Sequence, residues 1–176
     1  MNKLLDNNVI RLRAPEPEDL GLLYKWENDT SLWEQGNATA PYSRFSLRQY
    51  LSESKQDIYA DRQLRLMAVL GSSEEVIGMV DLYDFDPFHR RAGVGILIDE
   101  DHRKKGYGLQ VLEMLEAYSF GFLSLHQLYA FVPKKNKASM QLFKKAGYLP
   151  AATLHEWLSR GERYEDVQVW QKIQQP

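Results

Sequence analysis

The sequence predicts one α/β domain of the α+β type, with a mixed, mostly antiparallel sheet of six to seven strands flanked by about four helices. Three features carry this prediction: three strand-like segments separated by turn residues, a long amphipathic helix pattern directly after a strand, and two more strand-like segments at the end. The 176 residues are enough for one domain, which would bury roughly two-thirds of the surface that its unfolded chain exposes. Because no repeat, low-complexity stretch or linker interrupts the pattern, we expect a single domain over residues 1–176.

The N-terminal third predicts one strand and two helices. Residues 9–13 alternate between apolar and polar side chains as a strand does, and the acidic, proline-containing segment 15–19 starts a helix. Residues 35–41 have the composition of a loop. Ser46 then precedes a short helix that runs through Ser54.

Three strands follow in the middle of the chain, over residues 64–70, 76–84 and 91–99. The turn-forming segments Gly71-Ser72-Ser73 and Asp86-Pro87 separate them. Because the connections are short, the three strands are expected to form an antiparallel meander.

The C-terminal part predicts two helices and three strands. The long helix pattern over 107–122 has one apolar face, made of Val111, Met114, Leu115, Tyr118 and Phe122. A strand over 126–132 follows, and then a helix that Asn136 caps and Gly147 ends. Two strands close the chain, over 148–158 and 164–173.

Composition excludes several classes of function. The hydrophobic fraction of 44% and the charged fraction of 26% are ordinary globular values, and the net charge of −2 does not indicate a broad surface for nucleic acid. The sequence has no apolar run of the ~18 residues that a membrane span needs, and residues 1–8 lack the features of a signal peptide. The absence of cysteine excludes disulfides and a thiol nucleophile, and it fits a cytoplasmic protein. We expect no metal site.

A loop with cations and glycines leads into the long helix. The strand before it ends in Ile96-Leu97-Ile98, and the loop reads Arg103-Lys104-Lys105-Gly106-Tyr107-Gly108. Backbone N–H groups at a helix N-terminus attract phosphate, and glycines let it approach the backbone closely. The patterns GxxxxGK[ST] and GxGxxG are both absent. The loop therefore predicts a phosphorylated cofactor, with a solvated cationic turn as the alternative.

The spacing Arg103-x-x-Gly106-x-Gly108 resembles the R/Q-x-x-G-x-G/A signature of the GNAT superfamily of N-acetyltransferases. Further segments are similar to the branch that contains ribosomal-protein N-terminal acetyltransferases and bacterial spermidine/spermine N-acetyltransferases. These segments are Ile10-Arg11-Leu12-Arg13, Pro17-Glu18-Asp19-Leu20, Trp26-Glu27-Asn28-Asp29, His89-Arg90-Arg91-Ala92, Asn136-x-x-Ser139, Lys145-Ala146-Gly147-Tyr148, and His155-Glu156 with Gly161 and Tyr164. The resemblance covers almost the whole chain in the same order, and it implies the GNAT fold.

The resemblance also implies acetyl-CoA as the acetyl donor. Its pantetheine arm would lie between two splayed strands and bind the backbone of Ile96, Leu97 and Ile98, as an added strand would. The pyrophosphate would be held by Arg103, Lys104, Lys105, Gly106, Tyr107, Gly108 and Leu109. Asn136, Ser139 and Phe143 would complete the cofactor site, although an N-cap role alone also explains Asn136.

Acetyl transfer needs a base for the amine and a proton for the departing thiolate. Many relatives supply that proton from a Tyr at the position of Phe143, and the spermidine enzymes usually carry Glu where this chain has Gly93. The resemblance to the ribosomal-protein enzymes implies Glu156 as base and Ser139 as acid or thiolate partner. The alternative for Glu156 is a surface carboxylate that pairs with Arg160 or Arg163.

Acceptor binding is predicted on the second strand of the meander. Asp81, Tyr83 and Asp84 are the candidate residues, and only one of the two carboxylates can face the cleft if the strand is regular. The sequence thus predicts direct acetyl transfer in a ternary complex to a primary amine, which is a protein N-terminus, a polyamine or another small amine. A weakly catalytic acyl-CoA-binding module or sensor is the alternative, a phosphate-loop nucleotide-binding protein is a weaker one, and a homo-oligomer is possible.

Overall fold

The computed structural model describes residues 4–34 and 38–175. Its strands are β1 (Ile10–Arg13), β2 (Leu64–Leu70), β3 (Val76–Asp86), β4 (Arg91–Ile98), β5 (Gln127–Pro133), β6 (Leu149–Arg160) and β7 (Arg163–Ile173). Its α-helices are α1 (Leu20–Glu27), α2 (Thr30–Trp33), α3 (Arg44–Glu53), α4 (Ile58–Asp61), α5 (Tyr107–Glu116) and α6 (Lys137–Lys145). Among these residues, no helix combines the length and the apolar character that crossing a membrane requires.

One seven-stranded sheet, in the order β1-β2-β3-β4-β5-β7-β6, organises the described residues. Neighbouring strands pair antiparallel except β4 and β5, which pair parallel. The mixed, mostly antiparallel sheet of the prediction is therefore confirmed, and so is the meander β2-β3-β4. The observed architecture is the α/β fold of the α+β type that the sequence predicts.

Each face of the sheet packs against a different pair of helices. Apolar residues of α5 and α6, such as Leu112 and Phe143, pack on side chains such as Leu66 in the larger core cluster. On the opposite face, Trp26 of α1 packs with Met67. Because successive residues of a strand point to opposite faces, the alternation in β2 divides its side chains between the two clusters.

Helix boundaries differ from the prediction in three places. The helix predicted to start after Ser46 is α3, and it begins at Arg44. The Ser43 hydroxyl caps it by accepting a 3.0 Å hydrogen bond from the Ser46 N–H. Two four-residue helices, α2 and α4, were not predicted, and each is capped by an aspartate. The long helix is α-helical only to Glu116 and continues as a π-helix over Ala117–Phe122. Part of the predicted loop, residues 35–37, lies outside the described residues.

Candidate active site

The parallel strands β4 and β5 separate after three residue pairs. Arg91, Ala92 and Gly93 pair with Gln127, Leu128 and Tyr129, and no later residues of the two described strands are partners. Beyond Gly93, β4 continues to Ile98 while it pairs only with β3. The β5-facing edge from Val94 to Ile98 is therefore open to an extended ligand, which would bind it as an added strand. We call this opening the β4–β5 split.

The loop from β4 to α5 is shaped by its own backbone contacts. Arg103 Nε donates a 2.9 Å hydrogen bond to the Ile98 carbonyl, and Lys105 Nζ donates one of 2.9 Å to the Asp101 carbonyl. Gly106, which caps α5, has φ +81°, in the left-handed region that favours glycine. The loop thus turns sharply at Gly106 and presents the first turn of α5 to the end of the split.

The first turn of α5 fits a pyrophosphate. The helical bonding of α5 starts when the Gln110 N–H donates to the Gly106 carbonyl at 3.4 Å, so the preceding amides point out of the helix end. A Cβ at Gly106 would meet no atom within 4 Å, which leaves room for a ligand next to the backbone. At Gly108 a Cβ would lie 3.3 Å from Leu142, so only a small residue fits between α5 and α6. These amides and the neighbouring cations have the arrangement that an anion needs at a helix start.

A buried carboxylate anchors this loop to α1. Asp99 accepts hydrogen bonds from Lys25 Nζ at 2.9 Å and from Trp26 Nε1 at 2.8 Å. Its other oxygen accepts from the Asp101 N–H. Burial alone would raise the pKa of Asp99, but the Trp26 and Lys25 hydrogen bonds outweigh it and lower the pKa. Asp99 was not among the predicted site residues, and its sequence signal is that it is the first of three consecutive acids after an apolar strand.

The predicted cofactor residues of α6 lie at the far side of the split. Asn136 caps α6 by accepting a 3.1 Å bond from the Ser139 N–H, which confirms the structural role that the sequence alternative gave it. Ser139 is half-buried in the first turn. Phe143 is 3% exposed and its ring packs edge-on against Tyr148, with centroids 5.0 Å apart. Phe143 therefore lies in the core.

Glu156 lies on a bulge of the β6–β7 hairpin. Leu154 pairs with Val167 and Leu158 with Glu165, so three residues of β6 oppose one residue of β7. The bulge places Glu156 at φ +51° with an exposed side chain. Asp166 holds it, because one carboxylate oxygen accepts a 2.9 Å bond from the Glu156 N–H.

The same Asp166 links the bulge to the start of α6. Its carbonyl accepts a 3.0 Å bond from the Lys134 N–H, two residues before Asn136. Arg160, one predicted partner of Glu156, pairs instead with Glu165 at 3.3 Å. Among the hydrogen bonds of the described residues, none joins Glu156 to Ser139 directly, but both belong to segments that meet at Lys134.

A cleft of about 550 Å³ opens between α3 and β3, on the face opposite α5. Its lining includes four carboxylates, one guanidinium and three tyrosines: Glu27, Glu53, Asp61, Asp81, Arg65, Tyr42, Tyr50 and Tyr83. We call it the acidic cleft. Burial raises the pKa of Tyr50 and of Tyr83 above the usual value for tyrosine, so both remain neutral phenols.

Arg65 forms the centre of the acidic cleft. Its Nε donates to Asp81 Oδ1 at 2.8 Å and its Nη2 donates to Asp81 Oδ2 at 2.7 Å, while Nη1 contacts Glu27 at 2.5 Å. The nearby Asp81 and Glu27 outweigh the effect of burial and raise the pKa of Arg65. Sequence analysis missed Arg65 and Glu27, although a single charge within the apolar strand β2 was a visible signal.

The three predicted acceptor residues have different surroundings. Asp81 and Tyr83 line the acidic cleft, whereas Asp84 is exposed and lies where the β3–β4 register shifts, with φ +47°. The assumption of a regular strand is therefore wrong at Asp84, because the bulge after Tyr83 reorients it. Tyr83 is the cross-strand partner of Gly93, at the closed end of the split. The acidic cleft and the split thus meet at Tyr83.

The fold and the two adjoining sites define a class of protein. Residues 10–149 match the family model described as an acetyltransferase (GNAT) domain. Because this match spans well over half of the chain, the protein belongs to the GNAT acetyltransferase family. The anion site at α5 and the open edge of β4 fit acetyl-CoA, the donor that this family uses.

Individual relatives and solved structures show which members of the family this chain resembles. The spermidine N(1)-acetyltransferase of Vibrio cholerae serotype O1 is 28% identical over 164 residues, which cover 92% of this chain and 91% of that protein. The crystal structure of spermidine N-acetyltransferase from Vibrio cholerae in complex with CoA and spermine superposes with a TM-score of 0.85 at 25% identity, covering 96% of this chain and 97% of that chain. A dodecameric structure of the Vibrio cholerae enzyme in an intermediate state has a TM-score of 0.77 at 26% identity, covering 95% of each chain.

The chain is accordingly an acetyl-CoA-dependent N-acetyltransferase that acts on a primary amine. The predicted donor and the predicted reaction are both confirmed. The alternative of a catalytically weak acyl-CoA sensor is not favoured, because relatives over nearly the full length are enzymes.

Proposed function

We propose that the acceptor is an aliphatic polyamine and that it binds in the acidic cleft beside the β4–β5 split. The observation that carries this proposal is the charge of the cleft. Its four carboxylates and one guanidinium, all named above, leave a formal charge of −3. Ammonium groups spaced along a flexible chain are the complementary ligand, and the relatives described as spermidine acetyltransferases act on such amines.

Within the cleft, Arg65 divides the carboxylates into two sets. Asp81 and Glu27 are held by the guanidinium, whereas Glu53 and Asp61 lie on exposed positions of α3 and α4. The second pair therefore attracts the distal ammonium groups of the acceptor. The rings of the lining tyrosines add cation–π contacts, which are worth about 0.5–1 kcal/mol at exposed sites.

For the donor, we propose the predicted residues as ligands. The edge from Ile96 to Ile98 binds the pantetheine arm through the backbone. Residues Arg103 to Leu109 hold the pyrophosphate with their backbone amides and with arginine and lysine side chains. The position of Gly106 at the cap of α5 supports this assignment, because it leaves the first-turn amides accessible.

The reaction is proposed to proceed by direct transfer. The amine nitrogen attacks the thioester carbon, the C–S bond breaks, and the acceptor nitrogen loses two protons between its ammonium form and the amide. Glu156, directly or through water, takes the first proton and passes it to solvent. The second proton neutralises the departing thiolate, with Ser139 as its hydrogen-bonding partner. The link through Asp166 and Lys134 supports this assignment, because it joins the Glu156 bulge to the start of α6.

Assembly and location extend the same proposal. A relative described as dodecameric supports a homo-oligomer for this chain. A cytoplasmic location remains the expectation from the absence of cysteine.

The acceptor is tested with an amine panel and one double variant of the cleft. We expect spermidine or spermine to give the highest kcat/KM, with a KM that rises with ionic strength because salt screens exposed charges. The double variant Glu53→Gln, Asp61→Asn should raise the polyamine KM roughly fivefold, since two exposed charge contacts are lost. The KM for acetyl-CoA should stay unchanged.

The matched control is Glu113→Gln, an exposed carboxylate on α5, on the other face of the sheet. It should leave the polyamine KM as in the parent protein. A peptide N-terminus that exceeds spermidine by orders of magnitude in kcat/KM would reject the polyamine and favour a protein substrate.

A further inference from the structure

Position 143, where many relatives have a tyrosine hydroxyl, has none in this protein. Phe143 is buried, and its ring is fixed against Tyr148. The active site must therefore obtain any phenolic hydrogen bond from another residue. Tyr83 is a tyrosine on the cleft face that also extends to the β4–β5 split.

The Tyr83 ring lies across β4 because Gly93 has no side chain. A Cβ built on Gly93 would overlap Cε2 and Cζ of the Tyr83 ring. The ring therefore occupies the volume that a side chain at position 93 would need. Its Cζ atom, which carries the hydroxyl, is directly above the last β4 residue that pairs with β5.

Beyond β4, the same side chain reaches β5. The Tyr83 ring packs edge-on against Tyr129, with centroids 6.2 Å apart. The Phe131 amide, one pleat beyond Tyr129, opposes the rise in the pKa of Tyr83, so it lies near the phenol oxygen. A neutral phenol carries one hydrogen that it can donate, and at this place the split is the space that receives it.

The acetyl group of the donor is the ligand part that arrives at this point. The pyrophosphate site is at the open end of the split, next to α5, and the pantetheine arm extends from there along β4 towards Gly93. The acetyl group is the tip of that arm. It therefore meets the closed end, where the Tyr83 hydroxyl is.

We propose that the Tyr83 hydroxyl donates a hydrogen bond to the thioester carbonyl oxygen of acetyl-CoA. This hydrogen bond becomes stronger as negative charge develops on that oxygen. The amine adds to the carbonyl carbon, the oxygen becomes an oxyanion, and the C–S bond then breaks as the carbonyl re-forms. Tyr83 keeps its own proton throughout, so the two protons of the acceptor follow the routes given above. Donors directed at such an oxyanion lower the barrier to acyl transfer.

The burial of Tyr83 favours a role as hydrogen-bond donor over a role as proton donor. It raises the pKa of Tyr83 above its usual value, with Tyr129 and Asp84 adding to the effect and the Phe131 amide opposing it. A phenol in this state is a poor match as an acid for a thiolate, whose conjugate thiol has a pKa of about 8.5. It remains a protonated donor across the neutral range.

The test is Tyr83→Phe, which keeps the ring over Gly93 and removes only the hydroxyl. We expect kcat to fall by about 10²-fold, as for loss of one oxyanion donor, with little change in the KM of either substrate. Isotope-edited infrared spectroscopy of acetyl-CoA labelled at the carbonyl carbon supplies a second measurement. The carbonyl stretch of the bound thioester should move to higher frequency in the variant. This experiment needs no acceptor amine, so it is independent of the polyamine proposal.

Tyr129→Phe is the matched control, because it removes a hydroxyl from the neighbouring ring, and it should leave both kcat and the carbonyl stretch unchanged. Gly93→Ala should reproduce the loss in kcat, since the new methyl group displaces the Tyr83 ring. Unchanged kcat and an unchanged carbonyl stretch in Tyr83→Phe would overturn the proposal and leave Tyr83 as a wall of the cleft.

Discussion

The proposed donor side and the proposed acceptor side of this enzyme are built from different parts of the chain. The donor side that we propose consists of β4, the loop from Asp99 to Gly106 and the first turn of α5, which are contiguous in sequence. Its binding groups are mainly backbone amides. The acceptor side is assembled from α1, α3, β2 and β3, and its binding groups are side chains that ion pairs position.

This difference indicates which of the two sides can change its ligand specificity by single substitutions. Every residue type except proline has the same backbone amide, so most substitutions on the donor side leave its anion-binding groups in place. The donor side can therefore keep the same cofactor while its surface residues change. A side-chain network changes its ligand when single residues change. The acceptor side is therefore the part of the fold where relatives are expected to differ in substrate.

Removal of Arg65 should have the largest effect and should be confined to the acceptor side. Arg65→Met leaves Asp81 and Glu27 without their shared cation, which should cost about 3 kcal/mol of unfolding free energy. Denaturant unfolding measures this loss. Arg48→Met, an exposed substitution on α3, is the control. A lower CoA affinity in folded Arg65→Met protein would mean that a change on the acceptor side also alters binding on the donor side.

Glu156→Gln and Ser139→Ala should each lower kcat by ~10²-fold, because each removes a proton-transfer group or its partner. CoA affinity should change little in Glu156→Gln. Steady-state kinetics at saturating concentrations of acetyl-CoA and amine measures both effects. If Glu156→Gln keeps full kcat, a water chain to Asp81 becomes the next candidate base.

Gly106→Val should weaken CoA binding at least tenfold, or about 1.4 kcal/mol. A β-branched residue is strained at φ +81°, and its side chain occupies the space where the pyrophosphate approaches. Isothermal titration calorimetry measures the affinity. Gly121→Ala, at another position with no neighbour within 4 Å, is the control. Unchanged CoA affinity in the folded Gly106→Val protein would remove the phosphate site from this loop.

Asp99→Asn should have the smallest effect, about 1 kcal/mol of unfolding free energy at neutral pH. Because hydrogen bonds lower the pKa of Asp99 in the native state, the carboxylate stabilises the fold above its unfolded pKa of about 3.9. This contribution is lost as pH falls through the lowered native pKa. The difference between the two proteins should therefore shrink below about pH 4.

Asp101→Asn, an exposed carboxylate in the same loop, is the control for that measurement. A difference that stays constant from neutral to acidic pH would mean that the charge of Asp99 is unimportant. In that case only the shape of its side chain anchors the loop.

The sequence predicts the helix start on the donor side correctly because its signals are local. The strand end, the cations and the two glycines occur within a few positions, and phosphate binding there stays a prediction. All seven strands are also predicted, because period-two alternation and turn residues mark them. The helices α2 and α4 were missed because four residues carry no periodicity, although Asp29 and Asp57 were available as cap signals.

The acceptor side could not be predicted to the same depth. Glu27, Arg65 and Asp81 are far apart in sequence, and only the folded sheet brings them together. The bulge that changes the orientation of Asp84 depends on the register between β3 and β4. The roles of Glu156 and Ser139 remain predictions, since what connects them is a chain of contacts through Asp166 rather than a direct one.

The overlap between Tyr83 and position 93 also bears on how such enzymes can evolve. The spermidine acetyltransferases that this sequence resembles usually carry Glu at that position, and here the Tyr83 ring fills its volume. A glutamate gained while Tyr83 is present would displace the ring from this place. The effect of a substitution at position 93 therefore depends on which residue is present at position 83, and the two positions should be coupled in a double-mutant cycle.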